Sequence, residues 1–279
     1  MTVDHATYCA NDLAISQAKF RELGLPPRYG GTHSSVTHMA LIGFRDGSYL
    51  ELVAPQDPQG PIPPEQKWRE LMLDDAGPCA WTVRVPEVAA EVKRLAALNL
   101  KVAGPLPGSR KKPDGTVVLW ETGFVLPGDP GSMLPFFISD QSPRSWRTTP
   151  AKDLIGSGLS GISKVVIAVK DLEHSIALFR LTYGLPAPEM YKDETISART
   201  ACFEGSPVIL ATPLDATGWL SERIAKYGDR PAAFLLGTDN LDDSAKTFAL
   251  VSPIRLAGKP IAWFSPSVQG GMRLGVIEE

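Results

Sequence analysis

Two residues near the start of the chain, His5 and Glu51, have side chains that could bind a metal ion or transfer protons. His5 lies in the strand-like segment Val3–Cys9 and Glu51 in the strand-like segment Tyr49–Pro55. Because alternate residues of a strand share a face, each side chain would point to a defined side of a sheet. An imidazole and a carboxylate that meet across a sheet can hold a divalent metal or act as an acid–base pair. We therefore take both as candidate catalytic residues and as candidate metal ligands.

Three further residues, Arg110, Trp120 and His33, are candidates for binding a substrate. The planar guanidinium of Arg110 suits a carboxylate or phosphate, although a solvated basic loop before a Pro-Asp-Gly turn explains this residue equally well. Trp120 is either the wall of a cavity or part of the core. His33 lies in a loop rich in Gly and Ser, where it could act as a ligand or acid–base group or simply be solvated.

His38 would complete a set of two histidines and one carboxylate, which is a typical iron site. A two-residue turn centred on Asp46-Gly47 would place Ile42 opposite Glu51. His38 would then share the face of Glu51 but lie about 13 Å away along its strand. A shift of one residue in register would move His38 to the opposite face. We therefore predict that His38 is a polar residue at a strand end.

The composition is that of a globular protein. The chain has 279 residues, a net charge of -3, 43% hydrophobic and 21% charged residues, which allows one large domain or two of ordinary size. The slightly acidic balance gives no reason to expect a nucleic-acid partner, and no apolar run approaches the ~20 residues of a membrane span. Three scattered cysteines and a chain that starts directly with a strand favour a cytoplasmic protein.

Four segments of the chain repeat one plan, in which a strand is followed by a polar helix start, an amphipathic helix and further strands. The helix starts Asn11-Asp12-Leu13, Lys170-Asp171-Leu172 and Asp239-Asn240-Leu241 occupy equivalent places. A period of roughly 70 to 80 residues is too long for a solenoid and indicates duplicated βαβββ modules. We predict an α+β fold with four such modules paired into two domains, residues 1–145 and 159–279.

Several motifs of the first half occur in a combination that is fairly specific. They are Asp4-His5, the Asp-Leu helix start, Tyr49-Leu50-Glu51-Leu52, Pro107-Gly108-Ser109-Arg110-Lys111-Lys112-Pro113-Asp114-Gly115, Trp120 and Leu134-Pro135-Phe136-Phe137-Ile138. This combination resembles the vicinal oxygen chelate superfamily, and its glyoxalase-like members most closely. The close resemblance covers residues 3 to 140, whereas the remainder is similar only in its module plan.

The resemblance implies two glyoxalase-like domains, of which the first contains the site and the second is degenerate. It also implies a metal held by the first and last strands of two paired modules. The first module supplies His5 and Glu51 for this purpose, but Ala80 and Phe136 align with them in the second module. Neither can ligate a metal, so the chain has half of the usual set. A divalent metal such as Fe, Mn, Zn or Ni is one option for the site.

The leading hypothesis is a small-molecule enzyme of the vicinal oxygen chelate type. It would be metal-assisted, or would use Glu51 as a general base with His5 as its partner. Lyase, isomerase, hydrolase and dioxygenase chemistry are all open, because fold does not determine reaction. The alternative is a non-catalytic binding or resistance protein, and a third possibility is that the second half completes the first or forms a homodimer. We expect a small-molecule partner, without nucleic acid or membrane.

Overall fold

The computed structural model describes residues 1–33, 36–63, 66, 68–265 and 273–279. The first module contains β1 (Val3–Cys9), α1 (Leu13–Glu22), β2 (Arg28–His33), β3 (Thr37–Gly43) and β4 (Tyr49–Pro55). A short helix, α2 (Arg69–Leu73), leads to the second module, which contains β5 (Gly77–Arg84), α3 (Val88–Ala96), β6 (Lys101–Lys111), β7 (Val117–Leu126) and β8 (Phe136–Asp140).

The second half repeats this order. After α4 (Arg144–Arg147), the third module contains β9 (Leu159–Ala168), α5 (Leu172–Tyr183), β10 (Glu189–Asp193), β11 (Ala198–Cys202) and β12 (Val208–Pro213). After α6 (Trp219–Tyr227), the fourth contains β13 (Arg230–Thr238), α7 (Leu241–Thr247), β14 (Ile254–Leu256), β15 (Lys259–Trp263) and β16 (Leu274–Glu278). The predicted α+β fold of four paired βαβββ modules is confirmed. The sequence pattern also predicts that a strand at 272–277 closes the fourth module, and of this strand residue 272 lies outside the described residues.

The predicted helix starts are capped by side chains. Asp12 accepts hydrogen bonds from the amides of Ala14 and Ile15 at the start of α1. Asp171 caps α5 and Asn240 caps α7 in the same manner, each accepting from the amide three residues later. Such caps satisfy amides that have no partner within the helix. The repeated polar signal in the sequence therefore has a direct structural cause.

The first two modules form a closed barrel with the strand order β1-β4-β3-β2-β6-β7-β8-β5. At one side β1 pairs antiparallel with β5, and at the other side β2 pairs with β6. The second of these joints, which we call the seam, consists of the pairs Thr32 with Lys111 and His33 with Arg110. The seam closes the sheet and brings two predicted site residues side by side.

The second half forms an open sheet of eight strands, with β10 and β14 at its edges. One face of this sheet contributes to a large core shared with the barrel, where Tyr8 meets Phe234 edge-on at 5.2 Å and Trp81 stacks with Phe179 at 6.4 Å. The other face carries a separate cluster of buried apolar side chains. Arg223 of α6 ties the halves further by donating to backbone carbonyls that flank the start of β5.

The β3–β4 hairpin differs from its predicted register by one residue. Leu41, rather than Ile42, pairs with Glu51, and His38 pairs with Ala54. The cause is a longer connection, because Gly43 pairs with Tyr49 and five residues lie between the strands instead of two. His38 therefore lies on the face opposite to Glu51. No helix of the described residues is both long and apolar enough to cross a membrane.

Candidate functional site

A cavity of about 230 Å³ lies inside the barrel and is lined by strands of both modules. All five residues predicted for the site contribute to its wall, namely His5, His33, Glu51, Arg110 and Trp120. They come from five different strands, so the closure of the barrel assembles them. Their positions agree with the predicted site, and their roles stay predictions.

Glu51 lies between two imidazole rings. Its Oε2 is 3.8 Å from Nε2 of His5, and its Oε1 is 3.8 Å from Nε2 of His33. The hydroxyl of Thr7, its neighbour across the β1–β4 pair, donates a hydrogen bond of 3.0 Å to Oε2. Only 7% of Glu51 is exposed. A carboxylate in such a place can exchange protons with either ring or with a bound molecule.

His5 is oriented through both of its ring nitrogens. Its Nδ1 lies 2.7 Å from Oδ1 of Asp4, and its Nε2 lies 2.9 Å from the hydroxyl of Thr82. Because an ionised carboxylate can only accept, Nδ1 carries a proton, and the lone pair of Nε2 in the neutral ring accepts from the hydroxyl of Thr82. The ring also stacks on Tyr49 with centroids 4.7 Å apart. Asp4 and Tyr49 of the first module and Thr82 of the second therefore hold His5 in one tautomer and one orientation.

Asp4 lies next to His5 in sequence, and a bulge turns both side chains toward the same region. The ladder between β1 and β5 slips between Val3 and His5, where Val3 pairs with Val83 and His5 pairs with Thr82. Two residues of β1 thus oppose one of β5, which bends the strand and redirects its side chains. Without this bulge, Asp4 would point away from His5 as strand neighbours do.

The carboxylate of Asp4 is fully buried and surrounded by arginines. Arg147 forms a two-pronged pair with it at 2.6 and 2.9 Å, Arg84 donates at 3.2 Å, and Arg144 also donates. Burial alone would raise the pKa of Asp4, but the hydrogen bond from His5 and the charge of Arg147 bring it well below the usual range. Sequence reasoning missed this cluster, since Asp4 and Arg147 are 143 residues apart.

Arg110 is the second buried arginine of the cavity wall, and only 4% of it is exposed. Its Nη1 lies 2.9 Å from the sulfur of Met39, its Nη2 donates to the carbonyl of Arg147, and its Nε has no partner. Burial lowers the pKa of this guanidinium. In the described part of the chain, no carboxylate lies within ion-pair distance of it. Gly30 leaves room for this side chain, because a Cβ there would lie 3.0 Å from Nη1.

His33 and Trp120 form the wall next to Arg110. His33 pairs with Arg110 across the seam, and its Nδ1 is 3.1 Å from the hydroxyl of Thr37. Burial lowers the pKa of His33, although the charge of Glu51 opposes this shift. Trp120 faces the cavity and meets His33 edge-on at 6.4 Å. Gly108, which pairs with Trp120, is needed there because a Cβ would lie 2.1 Å from the indole nitrogen.

An apolar part of the cavity was not predicted. Trp68, Met72, Phe124, Pro130 and Phe136 line it. Trp68 has φ of 61°, in the left-handed region that is rare for a large side chain. Its indole N–H donates to the carbonyl of Pro130 at 3.2 Å. No motif in the sequence pointed to Trp68, since it follows an irregular segment rich in proline.

The position in the second module that corresponds to His5 is Ala80, in agreement with the alignment from the helix starts. The extra residue of β1, Asp4, directly precedes His5, and the extra residue of β5, Cys79, directly precedes Ala80. Thr82 lies opposite His5 in the β1–β5 pair and corresponds to Thr7, which lies opposite Ala80. The hydroxyl of Thr82 donates to His5 across this pair.

The position that corresponds to Glu51 is Phe136, in agreement with the alignment of the last strands. Phe136 lies beside Thr82 in the β5–β8 pair, just as Glu51 lies beside Thr7 in the β1–β4 pair. Phe136 also lines the cavity. The second module thus presents an aromatic ring where the first presents a carboxylate.

These residues do not make a good resident metal site. His5 and Glu51 remain a predicted pair of ligands, but Ala80 and Phe136, their counterparts in the second module, do not complete them. Within the described ranges, no three His, Cys, Asp or Glu side chains are grouped so that they could hold a metal ion. We therefore derive no chemical step through a metal here.

A closed barrel of two βαβββ modules around an internal cavity defines the vicinal oxygen chelate superfamily as the class of this protein. Within that class, the chain belongs to the glyoxalase-like domain family, whose sequence model matches residues 3–182. The match includes the whole barrel and extends past residue 140 through most of α5, further than the resemblance in the sequence suggested.

Solved structures with the same fold include a hypothetical protein from Staphylococcus aureus, with 14% identity over 100% of this chain and 98% of that one and a TM-score of 0.58. Methylmalonyl-CoA epimerase from Mycobacterium tuberculosis is 22% identical over 47% of this chain and 92% of its own, with a TM-score of 0.40. At these identities the likeness concerns the fold alone. No curated protein sequence matches the chain significantly.

Proposed function

We propose that the protein is a small-molecule enzyme of the isomerase or lyase type, in which Glu51 takes a proton from a carbon atom of the substrate. The observation that supports this is the carboxylate of Glu51, enclosed in the cavity and flanked at 3.8 Å by His5 and by His33. General bases of enzymes are placed in this way, within reach of the bound molecule and of groups that pass the proton on.

The two histidines would serve different purposes. His5 is fixed by Asp4 and Thr82, so its Nε2, 3.8 Å from Glu51, is oriented to take up the proton that Glu51 removes from the substrate. His33 is neutral at ordinary pH because burial lowers its pKa, and 20% of its side chain is exposed. We expect His33 to pass the proton between Glu51 and solvent. Hydrogen-bond donors of the cavity wall that lie near the negative charge developing on the substrate would lower the activation barrier of proton removal.

Exchange of substrate hydrogen with deuterium tests this proposal independently of the final product. Small oxo-carboxylates that raise the melting temperature of the protein would be incubated with it in D₂O, and loss of their C–H signals would be followed by NMR. We expect wild-type protein to catalyse this exchange and Glu51→Gln to slow it by about 10²- to 10⁴-fold. Chelation with EDTA should leave the rate unchanged, because no step depends on a metal.

Glu121→Gln is the matched control. Glu121 does not line the cavity and accepts a hydrogen bond from Gln141 at 3.3 Å, so this variant should exchange at the wild-type rate. A ligand of the cavity that exchanges equally with wild type and with Glu51→Gln would contradict a base at this position.

A binding or resistance protein is the second candidate. It is favoured by the second module, which offers Ala80 and Phe136 where an acid, base or ligand would be expected. The two functions give different results in the same assay. Tight binding in the cavity with no exchange and no turnover of the bound compound would support the binding protein.

A further inference from the structure

We propose that the substrate is a small carboxylate with a flat, aromatic body. Its carboxylate would pair with Arg110, and its ring would lie against Phe136 and Trp68. This inference rests on the proposed function for the chemistry that follows, but it concerns binding, which can be measured separately. Three features of the cavity support it, namely its charge, its row of aromatic rings and its size.

The charge of the cavity calls for an anion. Arg147 is neutralised by two carboxylates, since it pairs with Asp4 and also with Asp140 at 2.6 Å. Arg110 has no such partner within the described residues, and its contacts are a methionine sulfur and a peptide carbonyl. A buried guanidinium without a paired carboxylate is costly, since the charge of Glu51 acts on it only from beyond ion-pair distance, and the unpartnered Nε adds to this cost. A bound anion would satisfy both.

A carboxylate suits this position better than a neutral group. The guanidinium can donate two parallel hydrogen bonds to a carboxylate, which a single hydroxyl or amide oxygen cannot accept in the same way. Glu51 is the one acidic residue among the described residues that line the cavity. The carboxylate of the substrate would be held by Arg110. Glu51 would then form no ion pair with the substrate and would remain available as a base.

A row of rings leads from the polar end of the cavity to its apolar end. Tyr49 stacks on His5 at 4.7 Å, His5 meets Phe136 at 5.5 Å, and Phe136 lies 6.3 Å from Trp68. Arg147 lies over the ring of Tyr49 at 5.8 Å and contacts Arg110, which places both arginines at the polar end. Flat ligands pack well along such rings.

Trp68 is held in a strained backbone conformation with its indole toward the cavity. A φ of 61° costs free energy for a large residue, and such conformations persist mainly where surrounding contacts enforce them, often at ligand sites. Here the hydrogen bond to Pro130 fixes the indole. The volume of about 230 Å³ is below the range of ~300–1,000 Å³ typical of drug-sized pockets, so the ligand is small.

Calorimetric titration with three probes tests the inference. The probes are phenylacetate, its neutral analogue phenylacetamide, and acetate, which lacks the ring. We expect wild-type protein to bind phenylacetate most tightly. In Arg110→Met, the affinity for phenylacetate should fall by about ten- to a hundredfold, as expected for loss of a charged hydrogen bond, while the affinity for phenylacetamide stays the same. Trp68→Leu should weaken both aromatic probes alike.

Lys111→Met is the matched control, because Lys111 is the exposed neighbour of Arg110 on the same strand. It should bind all probes like wild type. Arg110→Met should fold, since it replaces an unpaired buried charge by an apolar chain of similar length. Arg110→Lys keeps the charge without the fork and should have intermediate affinity.

The inference is overturned if no probe binds, if phenylacetamide binds as tightly as phenylacetate, or if Arg110→Met binds phenylacetate like wild type. Failure of the proposed function would look different. Glu51→Gln should still bind phenylacetate at least as tightly as wild type, because it removes a nearby negative charge. If a ligand binds through Arg110 but no substrate hydrogen exchanges, the inferred substrate class is supported and the proposed role of Glu51 as a base is contradicted.

Discussion

Asp4 carries a buried negative charge that is shared by His5 and three arginines. It does not line the cavity, yet it sets the tautomer of His5 and anchors the short helix α4 through Arg144 and Arg147. Helix α4, which follows the barrel, is therefore bound to β1, the first strand of the barrel. The carboxylate of Asp4 both holds α4 to the barrel and orients His5, a predicted catalytic residue.

We predict that Asp4→Asn lowers the free energy of unfolding by about 3–5 kcal/mol, as is usual when one partner of a buried ion pair is removed and the other charge remains. Urea denaturation measures this loss. Asp114→Asn should cost far less, because asparagine can still accept from the amide of Thr116 and only the exposed pair with Lys112 is lost. A similar small effect for both variants would show that the arginines find other partners.

The dependence on pH has a definite sign. Because the pKa of Asp4 is lower in the folded protein than in the unfolded chain, its contribution is present above the unfolded value and is lost as the pH falls through the folded value. The unfolded value is near 3.8. The difference in stability between wild type and Asp4→Asn should therefore be constant at neutral pH and shrink in strong acid.

At the scale of elements, the seam between β2 and β6 depends on Gly31. This residue has φ of +121°, and a Cβ would lie 2.0 Å from the backbone oxygen of Lys111. Only glycine allows both the conformation and the close approach. The strand that carries His33 can lie next to the strand that carries Arg110 for this reason.

We predict that Gly31→Ala separates β2 from β6, lowers the melting temperature and weakens binding of phenylacetate at least as much as Arg110→Met does. The matched control is Gly115→Ala, because Gly115 also has positive φ, +86°, but no atom lies within 4 Å of the place that a Cβ would occupy there. That variant carries the backbone strain alone, so its binding should equal that of wild type. Thermal unfolding and calorimetry together separate the two effects, and equal binding losses in both would contradict the role of the seam.

The sequence allowed prediction of elements with strong local signals. Strands β1 and β4 and the capped helices followed from alternation and from Asp or Asn at helix starts. Strand β2 did not, because Arg28–His33 contains two glycines and no apolar alternation, and it becomes a strand only by pairing. For a similar reason, the residues around Arg110 in strand β6 have the local pattern of a basic loop.

The site was predictable to the extent that motifs marked it. His5 and Glu51 stand in recognisable strands, but the contacts of Arg147 depend on folding of distant segments. The bulge at Asp4 is also invisible in a single sequence, and it brings the carboxylate of Asp4 onto the ring of His5. An error of one residue in the β3–β4 register was enough to move His38 to the face opposite to Glu51.

At the scale of the whole molecule, the two halves share a core. Tyr8 and Trp81 of the barrel are almost completely buried, and their ring partners Phe234 and Phe179 belong to the second half. The division into residues 1–145 and 159–279 is a proposal about sequence modules. The shared core indicates that the two halves bury apolar surface against each other, and Arg223 adds polar contacts beside it.

We predict that a chain ending at Gly158 aggregates, because it exposes Trp81 and Tyr8, whereas the full chain remains dispersed at the same concentration. Size-exclusion chromatography and the sharpness of thermal unfolding would show this. A monomeric fragment that unfolds cooperatively and binds phenylacetate would instead establish the first half as an independent unit.

The seam has a thermodynamic consequence. His33 and Arg110 form one of the two residue pairs that join β2 to β6, and both face the cavity. A ligand that contacts them adds its binding free energy to the closure of the barrel, and by linkage a substitution that lowers the fraction of closed barrel lowers the affinity for the ligand in the same proportion. The affinity for a ligand therefore depends on all the strands that close the barrel. Selection for tighter binding would act on residues such as Gly31, which do not contact the ligand.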